Sequence, residues 1–445
     1  MLKQYSPTDA LNTILKRTPL EDMPVTKRMQ EGIRKLFGKS LTPAQVVDLI
    51  LKDVRKRGDE ALREWTLKLD GVELDSLRVP QEKIQAATTG LSLDLREALD
   101  LSIERVRKFH QSQPVGSWIT QGMGGQLGQL IRPIRRVGLY IPAGSAPLPS
   151  SVIMSAVAAQ VAGVSEIVIV SPPAPDTGEV APVILAAANL LGIDEIYALG
   201  GAQAVAALAY GTSTIQPVDK IFGPGNLFVT LAKKQVYGTV GIDSLAGPTE
   251  TVVIADAGAK PAWVAADLLA QAEHDVLAAA ILLTPSEELI RAVQAEIEKQ
   301  LKERSRAAVI RESLAHRSGA VLTRDLDEAV DLANRYAPEH LCLAVEDPWT
   351  HSEQVTCAGG IFIGENSCEV LGDYVAGPSH VMPTGGSARF NSPLNVLDFV
   401  HIVSLVALNP ATAGTIARSA EVIARVEGLD AHAYAAYLRT GAEVE

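Results

Sequence analysis

Two polar side chains lie three residues apart in an otherwise apolar stretch of the chain. Gln271 and His274 fall at the end of an Ala- and Leu-rich segment whose periodicity predicts a helix over 263–273. Residues three apart share a helix face, so an amide oxygen and an imidazole nitrogen could bind one metal ion. The same pair is also typical of a polar residue and a surface histidine near a helix end.

Three further segments place a carboxylate close to an imidazole. Glu339 and His340 are adjacent in YAPEHL, where they could share proton transfer because histidine titrates near neutral pH. Asp373 precedes His380 in a loop rich in Gly and Pro, where an isolated Asp commonly forms an Asx turn. The third segment, EGLDAH, contains Glu427 and His432. Each segment, taken alone, also fits an ordinary exposed turn.

The three cysteines form neither a CxxC pair nor a disulfide framework. They fit a reducing compartment, so we expect a cytoplasmic protein. Cys342 lies two residues after His340 but within the apolar strand LCL, which is typical of a small buried residue. An aldehyde-oxidising enzyme with Cys342 or Cys368 as its nucleophile is an alternative that Cys→Ser variants would test.

Three glycine-containing loops follow predicted strands. They are 142–145 (PAGS), 200–203 (GGAQ) and 223–226 (GPGN). The carboxyl edge of a parallel sheet is the usual ligand crevice, and glycines let the backbone approach a phosphate. Each loop could equally be a tight turn, but three on one sheet favour ligand binding. Neither GxGxxG nor GxxxxGK[ST] occurs, and the glycines over 122–128 predict a surface hairpin.

Strand and helix patterns alternate from about residue 137 to residue 363. This order predicts an α/β fold with two adjacent, incomplete Rossmann-like parallel-sheet domains. Helical appendages are expected at both termini, with helices over 43–57 and 93–111 near the first. The predicted division is an N-terminal helical segment over 1–35, a first α/β domain over 36–136 plus 248–392, a second α/β domain over 137–247, and a C-terminal helical segment over 393–445.

Composition narrows the class of function. The 445 residues carry a net charge of -12 and contain no basic block, so we expect no nucleic-acid partner. No apolar run reaches the roughly 20 residues of a membrane span, and the first residues lack the apolar core of a signal peptide. With 47% hydrophobic residues, the chain can bury large cores.

Eight segments together resemble the histidinol dehydrogenase family. In order, they are VGLYIPAGSAPLPSSV, LGGAQAVAALAYGT, VDKIFGPGN, AGPTE, DLLAQAEHD, YAPEHL, GDYVAGPSHVMPT and EGLDAH. They run from about residue 130 to residue 439, whereas the helical first third resembles the family more loosely. One such segment is modest support, but eight in family order are highly specific.

The resemblance implies one zinc ion per subunit and assigns its ligands. The implied zinc ligands are Gln271, His274, Asp373 and His432. A set of nitrogen and oxygen ligands without a thiolate is typical of a site with positions open for substrate. The implied substrate contacts are Thr249, His340, Glu427 and the four zinc ligands. His380 is a further candidate for the pocket wall.

The resemblance also implies a reaction. L-histidinol would be oxidised to histidinal and then to histidine, with two NAD reduced and Glu339 and His340 as the catalytic pair. The implied NAD contacts, Tyr140, Gln203 and Asn226, belong to the domain over 137–247. Most metal and catalytic residues belong to the domain over 36–136 plus 248–392.

Two departures and two alternatives accompany this resemblance. The family commonly has Ser where this chain has Thr249, and the segment after His274 is atypical. A related zinc- and NAD-dependent dehydrogenase for another amino alcohol is one alternative, and a zinc-containing binding protein without activity is another. The resemblance further implies a homodimer in which the segment over 393–445 reaches across to complete the partner's site.

Overall fold

The computed structural model describes residues 2–19, 25–143 and 147–441. Its strands are β1 (Gln4–Tyr5), β2 (Trp118–Thr120), β3 (Gly125–Pro133), β4 (Arg136–Tyr140), β5 (Glu166–Ser171), β6 (Ile196–Ala198), β7 (Lys220–Phe222), β8 (Gly241–Ile242), β9 (Glu250–Ala255), β10 (Ala279–Thr284), β11 (Gly319–Leu322), β12 (His340–Ala344), β13 (Gly360–Ile363) and β14 (Val400–Leu408). Its helices are α1 (Pro7–Asn12), α2 (Lys27–Phe37), α3 (Pro43–Arg57), α4 (Asp59–Asp70), α5 (Gln81–Thr89), α6 (Leu93–Gln111), α7 (Pro149–Ala162), α8 (Pro182–Leu190), α9 (Gly201–Tyr210), α10 (Leu227–Val236), α11 (Pro261–Ala272), α12 (Glu287–Gln300), α13 (Ala307–His316), α14 (Leu326–Tyr336), α15 (Pro348–Ser352), α16 (Glu369–Leu371), α17 (Pro410–Val426) and α18 (Asp430–Tyr437).

The chain divides into two compact units. The first unit comprises Met1–Ser112 and Arg135–Val396, and the second comprises Gln113–Ile134 and Leu397–Glu445. The first unit holds both parallel sheets, whereas the second holds an antiparallel sheet and the last two helices. The division of the chain into four segments, set out above, stays a prediction.

One parallel sheet of the first unit has the strand order β6-β5-β4-β7-β8. We call it the nucleotide-side sheet. Its central strand β4 is buried along its whole length, as expected of a strand covered on both faces. Helices α3, α9 and α10 share one apolar core with this sheet, in which Val47, Ile50 and Val205 are fully or almost fully buried. The N-terminal helices α3 and α4 therefore form an outer layer, with α3 packed on α9 and α10 and α4 packed on α9.

The other parallel sheet has the order β1-β11-β10-β9-β12-β13. We call it the catalytic-side sheet. Strands β9 and β10 are buried throughout, and separate apolar cores cover the two faces of the sheet. Val253 belongs to one core and Val252 to the other, because successive side chains of a strand point to opposite faces. This double burial fixes the ends of β9 and β12, where the polar residues of YAPEHL lie.

The predicted α/β class with two parallel-sheet domains is confirmed. The helices predicted over 43–57 and 93–111 are α3 and α6, with those bounds. The predicted hairpin over 122–128 is also present, as the turn between β2 and β3. Helices α17 and α18 confirm the predicted helical end of the chain.

Strand β14 was not predicted. It pairs antiparallel with β3, and Val400 lies opposite Pro133 although the two residues are far apart along the chain. Its residues are mostly exposed, so no alternation of buried and exposed positions marks it as a strand. Pairing with β3, rather than local pattern, therefore determines its conformation.

No helix of the described ranges is both long enough and apolar enough to span a membrane.

Candidate active site

A cavity of about 1010 Å³ lies between opposite edges of the two parallel sheets. The nucleotide-side sheet contributes its carboxyl edge, including Tyr140 at the end of β4 and Asn226 after β7. The catalytic-side sheet contributes its amino edge, where Thr249 precedes β9 and His340 begins β12. One space thus joins the glycine loops to the titratable residues.

A short hydrogen-bond chain orients Glu339. The Gln271 amide donates to the Thr249 hydroxyl at 2.9 Å, and that hydroxyl donates to Glu339 Oε2 at 2.5 Å. The backbone N–H of Glu250 donates to the same oxygen at 3.0 Å. Burial raises the pKa of Glu339 to about 7, against the opposing effects of His340 and these donors. The carboxyl group is therefore positioned and able to exchange a proton near neutral pH.

His340 lies between two carboxylates at the start of β12. Its Nδ1 is 3.8 Å from Glu339 Oε2, and its Nε2 is 3.6 Å from Asp373 Oδ1. Both separations exceed an ordinary hydrogen bond. Burial disfavours the charged ring, but the surrounding carboxylates, chiefly Glu339, outweigh it and raise the pKa of His340. Nε2 has no hydrogen-bond partner in the described part of the chain, so it is free to bond a bound molecule.

Asp373 and His380 are brought together, as their positions in one loop suggested. His380 Nδ1 is 2.8 Å from the Asp373 backbone carbonyl, and its Nε2 is 3.3 Å from the Ser151 hydroxyl. Burial lowers the pKa of His380 and keeps the ring neutral. A carbonyl only accepts, so Nδ1 carries the proton and Nε2 accepts from Ser151. His380 therefore holds the backbone of the Asp373 turn against α7.

Two local predictions about this site were wrong. Helix α11 ends at Ala272, so His274 lies beyond the helix rather than on one helical face with Gln271. A turn in which Asp275 accepts from the N–H of Leu277 follows at once and redirects the chain. Asp373 lies in a π-helical turn over Gly372–Ala376, not in the irregular loop predicted for it. His274 and Asp373 nevertheless both line the cavity.

The glycine loops form the opposite side of the cavity. Tyr140 is buried, and its hydroxyl accepts from the N–H of Gly201 at 3.1 Å. Asn226 caps α10, accepting from the N–H of Phe228 at 3.0 Å. The side-chain amide of Gln203 is fully buried and has no hydrogen-bond partner among the described residues. An unpaired buried amide at a cavity wall is suited to a polar ligand.

Gly223 is required by close backbone approach. Its φ is +109°, and a Cβ there would lie 2.1 Å from the carbonyl oxygen of Tyr140. Only glycine therefore lets the end of β7 approach the end of β4 so closely. Of the predicted loop over 142–145, residues 144 and 145 lie outside the described residues.

Several cavity residues were missed by sequence reasoning. They are Ser151 on α7, Met29, Ile33, Leu36 and Phe37 on α2, and Asp70 at the end of α4. Helices α2 and α4 read as ordinary amphipathic helices, and no local signal shows that they face a cavity in another part of the fold.

Cys342 is buried in β12, and burial raises the pKa of its thiol. This confirms the interpretation of Cys342 as a small buried residue. A buried thiol that resists ionisation is a poor nucleophile. Neither Cys342 nor Cys368 lines the cavity.

The remaining predicted site residues, Glu427 and His432, belong to the second unit. Glu427 is the C-cap of α17, and His432 lies in the first turn of α18. Both side chains are exposed. They are thus available for contacts that the chain does not make within that unit.

The metal-ligand candidates of the first unit form an incomplete set. Within the described ranges, no group of three His, Cys, Asp or Glu side chains is arranged to hold a metal ion. His274 and Asp373 line the cavity, and Gln271 bonds to Thr249, which also lines it. One imidazole, one carboxylate and one amide have the chemistry of an open metal site but need a further ligand. With one more ligand, these three residues would fit a divalent cation.

Comparison with known proteins identifies the relatives of this chain. A family model for histidinol dehydrogenase matches residues 38–440. The chain belongs to the histidinol dehydrogenase family. It is 54% identical to the histidinol dehydrogenase of Deinococcus radiodurans, over 93% of this chain and 94% of that protein. It is 50% identical to that of Thermus thermophilus, over 92% of this chain and 98% of that protein.

A solved structure agrees with these sequence relatives. The crystal structure of histidinol dehydrogenase from Elizabethkingia anophelis matches with a TM-score of 0.90 at 35% identity. The match covers 99% of this chain and 98% of that one. The resemblance inferred from eight short segments is therefore confirmed, as is the prediction that this chain is an enzyme of this family.

Proposed function

We propose that this chain oxidises L-histidinol through L-histidinal to L-histidine, reducing two NAD, as the final step of L-histidine biosynthesis. The observation that carries the proposal is one cavity with the Glu339–His340 pair on one side and the three glycine loops on the other. Membership of the histidinol dehydrogenase family supports the choice of substrate.

Four side chains would hold a zinc ion. They are Gln271, His274, Asp373 and, from a second subunit, His432. When bound, zinc would act as a Lewis acid that grips the amino and imidazole nitrogens of the substrate, and NAD would accept the hydride. The first unit supplies three of these groups around the cavity, in agreement with the need for one more ligand.

His340 handles the proton in the first oxidation. As a hydride leaves the carbinol carbon of histidinol, His340 takes the hydroxyl proton and the C–O bond becomes a carbonyl. The neighbouring carboxylates of Glu339 and Asp373 stabilise the imidazolium that this transfer forms. The charge of a zinc ion held by Asp373 would oppose them and let the ring begin the reaction neutral. The proton then passes to solvent, which restores the neutral ring.

Glu339 prepares the aldehyde for the second oxidation. It takes a proton from a water molecule whose oxygen bonds to the histidinal carbonyl carbon, which gives the hydrate as its monoanion. His340 then accepts a hydroxyl proton from the hydrate as the second hydride leaves, and the product is the carboxylate. The hydrogen bonds from Thr249 and Glu250 aim the Glu339 carboxyl group, and its pKa of about 7 suits both uptake and release of a proton.

Tyr140, Gln203 and Asn226 are the proposed NAD contacts. Gln203 offers a buried amide without a partner in the described residues, and Asn226, the N-cap of α10, also lines the cavity. Thr249 and Glu427 are the proposed substrate contacts besides His340 and the metal ligands. Thr249 already bonds to Gln271 and Glu339, so its hydroxyl ties the substrate wall to the catalytic pair.

The stoichiometry of NADH formation tests this function. Limiting L-histidinol should yield two NADH and one L-histidine per molecule consumed, and a chelator should abolish the signal until zinc is restored. Other amino alcohols, tested in parallel, should react far more slowly. If another amino alcohol reacts faster than histidinol, the chain is a dehydrogenase for that amino alcohol. If no substrate gives NADH, the chain is a zinc-containing binding protein without this activity.

We propose a homodimer in which the second unit of one subunit completes the site of the other. The second unit exposes large apolar side chains that a single chain leaves uncovered. They include Ile402, Val406, Val422, Ile423 and Val426. Exposed apolar clusters of this kind commonly mark a protein interface. Glu427 and His432 lie within or beside this surface along α17 and α18.

Mixed dimers test the exchange. His340→Asn and His432→Asn variants should each be nearly inactive, but mixing them by unfolding and refolding should restore activity. A mixed dimer then has one site with both native side chains and one site with neither. If each site were built from one chain, every site in the mixture would keep one defect and no activity would return. Light scattering on each sample establishes the oligomeric state.

The proposed location is the cytoplasm. The three cysteines are free thiols in this structure, which suits a reducing compartment. An NAD-dependent biosynthetic reaction also requires access to the cellular nucleotide pool.

A further inference from the structure

The nucleotide side of the cavity has a wall that no glycine loop supplies. Met29, Ile33, Leu36 and Phe37 of α2 line it together with Asp70, the last residue of α4. Phe37 stacks on Trp65 with 5.8 Å between ring centroids, so the wall rests on a packed aromatic pair. Four apolar side chains on one helix form a surface suited to the flat face of an adenine ring.

Among the described residues of α2 and α4 that line the cavity, Asp70 is the acidic one. It is half-buried, and its Oδ2 is buried with no hydrogen-bond partner in the part of the chain that the structure describes. Burial raises the pKa of Asp70 to about 6. A buried carboxylate oxygen without a donor is unfavourable, so a donor from a bound molecule would satisfy a need that the protein leaves open.

Asp70 also lies near the proposed NAD contacts. Its charge contributes, after burial, to raising the pKa of Tyr140 to about 12. The Gln203 amide on the same side likewise lacks a partner within the described ranges. Two unpaired buried polar groups therefore accompany one apolar surface, which matches the polar sugar and apolar base of adenosine.

Two lysines on this wall would favour the opposite charge. Lys35 and Lys68 also line the cavity, and a cation would attract a phosphate. Both are exposed, so solvent and salt screen them. Lys68 is moreover paired with Glu64 at 3.2 Å and lies over the Trp65 ring at 4.9 Å. The half-buried Asp70 is less screened and governs which groups fit beside it.

We propose that Asp70 accepts a hydrogen bond from the 2′-hydroxyl of the adenosine ribose and excludes the 2′-phosphate of NADP. The inference rests on the proposed function, because it assumes that the cavity binds NAD. Dinucleotide enzymes with a GxGxxG fingerprint place an acidic residue on the ribose from within the same βαβ unit. Here the acid comes from a helix end outside the nucleotide-side sheet, in a chain that lacks that fingerprint.

Binding of nucleotides without substrate tests Asp70 directly. Titration calorimetry would compare 5′-AMP with 2′,5′-ADP, and NADH with NADPH, on the wild-type dimer and on Asp70→Asn and Asp70→Ala variants. The wild type should prefer the nucleotide without the 2′-phosphate in both pairs. Asp70→Asn should shrink this preference about tenfold or more, and Asp70→Ala should also weaken 5′-AMP about tenfold.

Asp75→Asn is the matched control. Asp75 lies five residues after Asp70, is exposed and does not line the cavity. Its substitution removes the same charge and should leave both preferences unchanged. Thermal unfolding checks that each variant folds, and asparagine matches aspartate in size. Unchanged preferences in Asp70→Asn and Asp70→Ala would overturn the proposal. So would weakened NADH binding with an unchanged ratio for 5′-AMP and 2′,5′-ADP, since Asp70 would then face the other ribose.

Kinetics separate this proposal from the proposed function. NADH formation from histidinol by the wild type supports the function whatever Asp70 does. Asp70→Asn should then raise kcat/KM with NADP relative to NAD by about tenfold or more, with turnover at saturating NAD retained. A wild type that binds NADPH as tightly as NADH would refute the role of Asp70 without touching the reaction.

Discussion

The two sides of the cavity are built on different principles. The catalytic side, at the amino edge of its sheet, consists of titratable groups, with His340 within 4 Å of both Glu339 and Asp373. The nucleotide side, at the carboxyl edge of the other sheet, relies on glycine loops and on the neutral side chains of Tyr140 and Gln203. The catalytic side must transfer protons, whereas the nucleotide side must be complementary in shape to the bound nucleotide.

This difference predicts how each side fails. On the catalytic side, replacing one titratable group should remove chemistry and leave the fold intact, because Thr249 and the backbone N–H of Glu250 still hold the neighbouring groups. On the nucleotide side, adding a single methyl group should disturb the fold itself, because the strand ends meet through backbone contact at Gly223.

His340→Asn should have the largest effect on turnover. Asparagine keeps some polarity but cannot accept and release the proton in either oxidation, so kcat should fall about 10²–10⁴-fold. The measurement is steady-state NADH formation from histidinol and, separately, from histidinal. His316→Asn, at an exposed position on α13, is the control and should be near normal. Retention of full activity by His340→Asn would remove the histidine from the mechanism.

Gly223→Ala should destabilise the protein through the nucleotide side. The positive φ and the contact with the Tyr140 carbonyl together should lower the free energy of unfolding by about 3–5 kcal/mol. Gly238→Ala is a matched control, because Gly238 has a φ of +100° but open space around its Cβ position. Its loss should be only about 1–3 kcal/mol. Equal losses in denaturant unfolding would show that backbone approach at Gly223 is unimportant.

Asp267→Asn should give a smaller effect, and of the opposite sign. Burial, with a contribution from Glu365, raises the pKa of Asp267 to about 6. The folded protein therefore holds this proton more tightly than the unfolded chain, and stability falls as pH rises from about 4 to 6. The variant should lose this pH dependence and gain about 1–2 kcal/mol above pH 6.

Unfolding free energies at pH 4.5 and pH 7.5 measure this effect. The gain from Asp267→Asn should be larger at pH 7.5 than at pH 4.5. Glu298→Gln removes the same charge from an exposed site and should change neither value appreciably. A gain of equal size at both pH values would assign the effect to something other than the proton on Asp267.

The sequence predicts this architecture well where the signal is local. Buried strands such as β4 and β10 are short apolar runs between turn residues, and α3 begins with a capping box at Thr42, so both kinds of element are legible. The glycine loops follow the strands as predicted. Positions that depend on packing between distant parts of the chain cannot be predicted from such local patterns.

Three particular residues illustrate that limit. Asp70 faces the cavity because α4 packs against α9, a helix that covers the nucleotide-side sheet. His274 leaves the helix because of a turn at Asp275 that the Ala- and Leu-rich pattern does not reveal. The amino edge of the catalytic-side sheet, where His340 lies, is the opposite of the edge at which a ligand is normally expected. Adjacency alone made Glu339 and His340 a candidate pair for proton transfer, and only the family resemblance assigned them the catalytic role before the structure did.

The most direct test of this account is the product pattern of Glu339→Gln. The amide oxygen of glutamine can accept the hydrogen bonds from both Thr249 and Glu250, but glutamine cannot take a proton from water, so hydration of the aldehyde should fail first. With zinc content unchanged, limiting histidinol should give close to one NADH per molecule and histidinal in place of histidine. Two NADH per histidinol at the wild-type rate would contradict the central role assigned to Glu339.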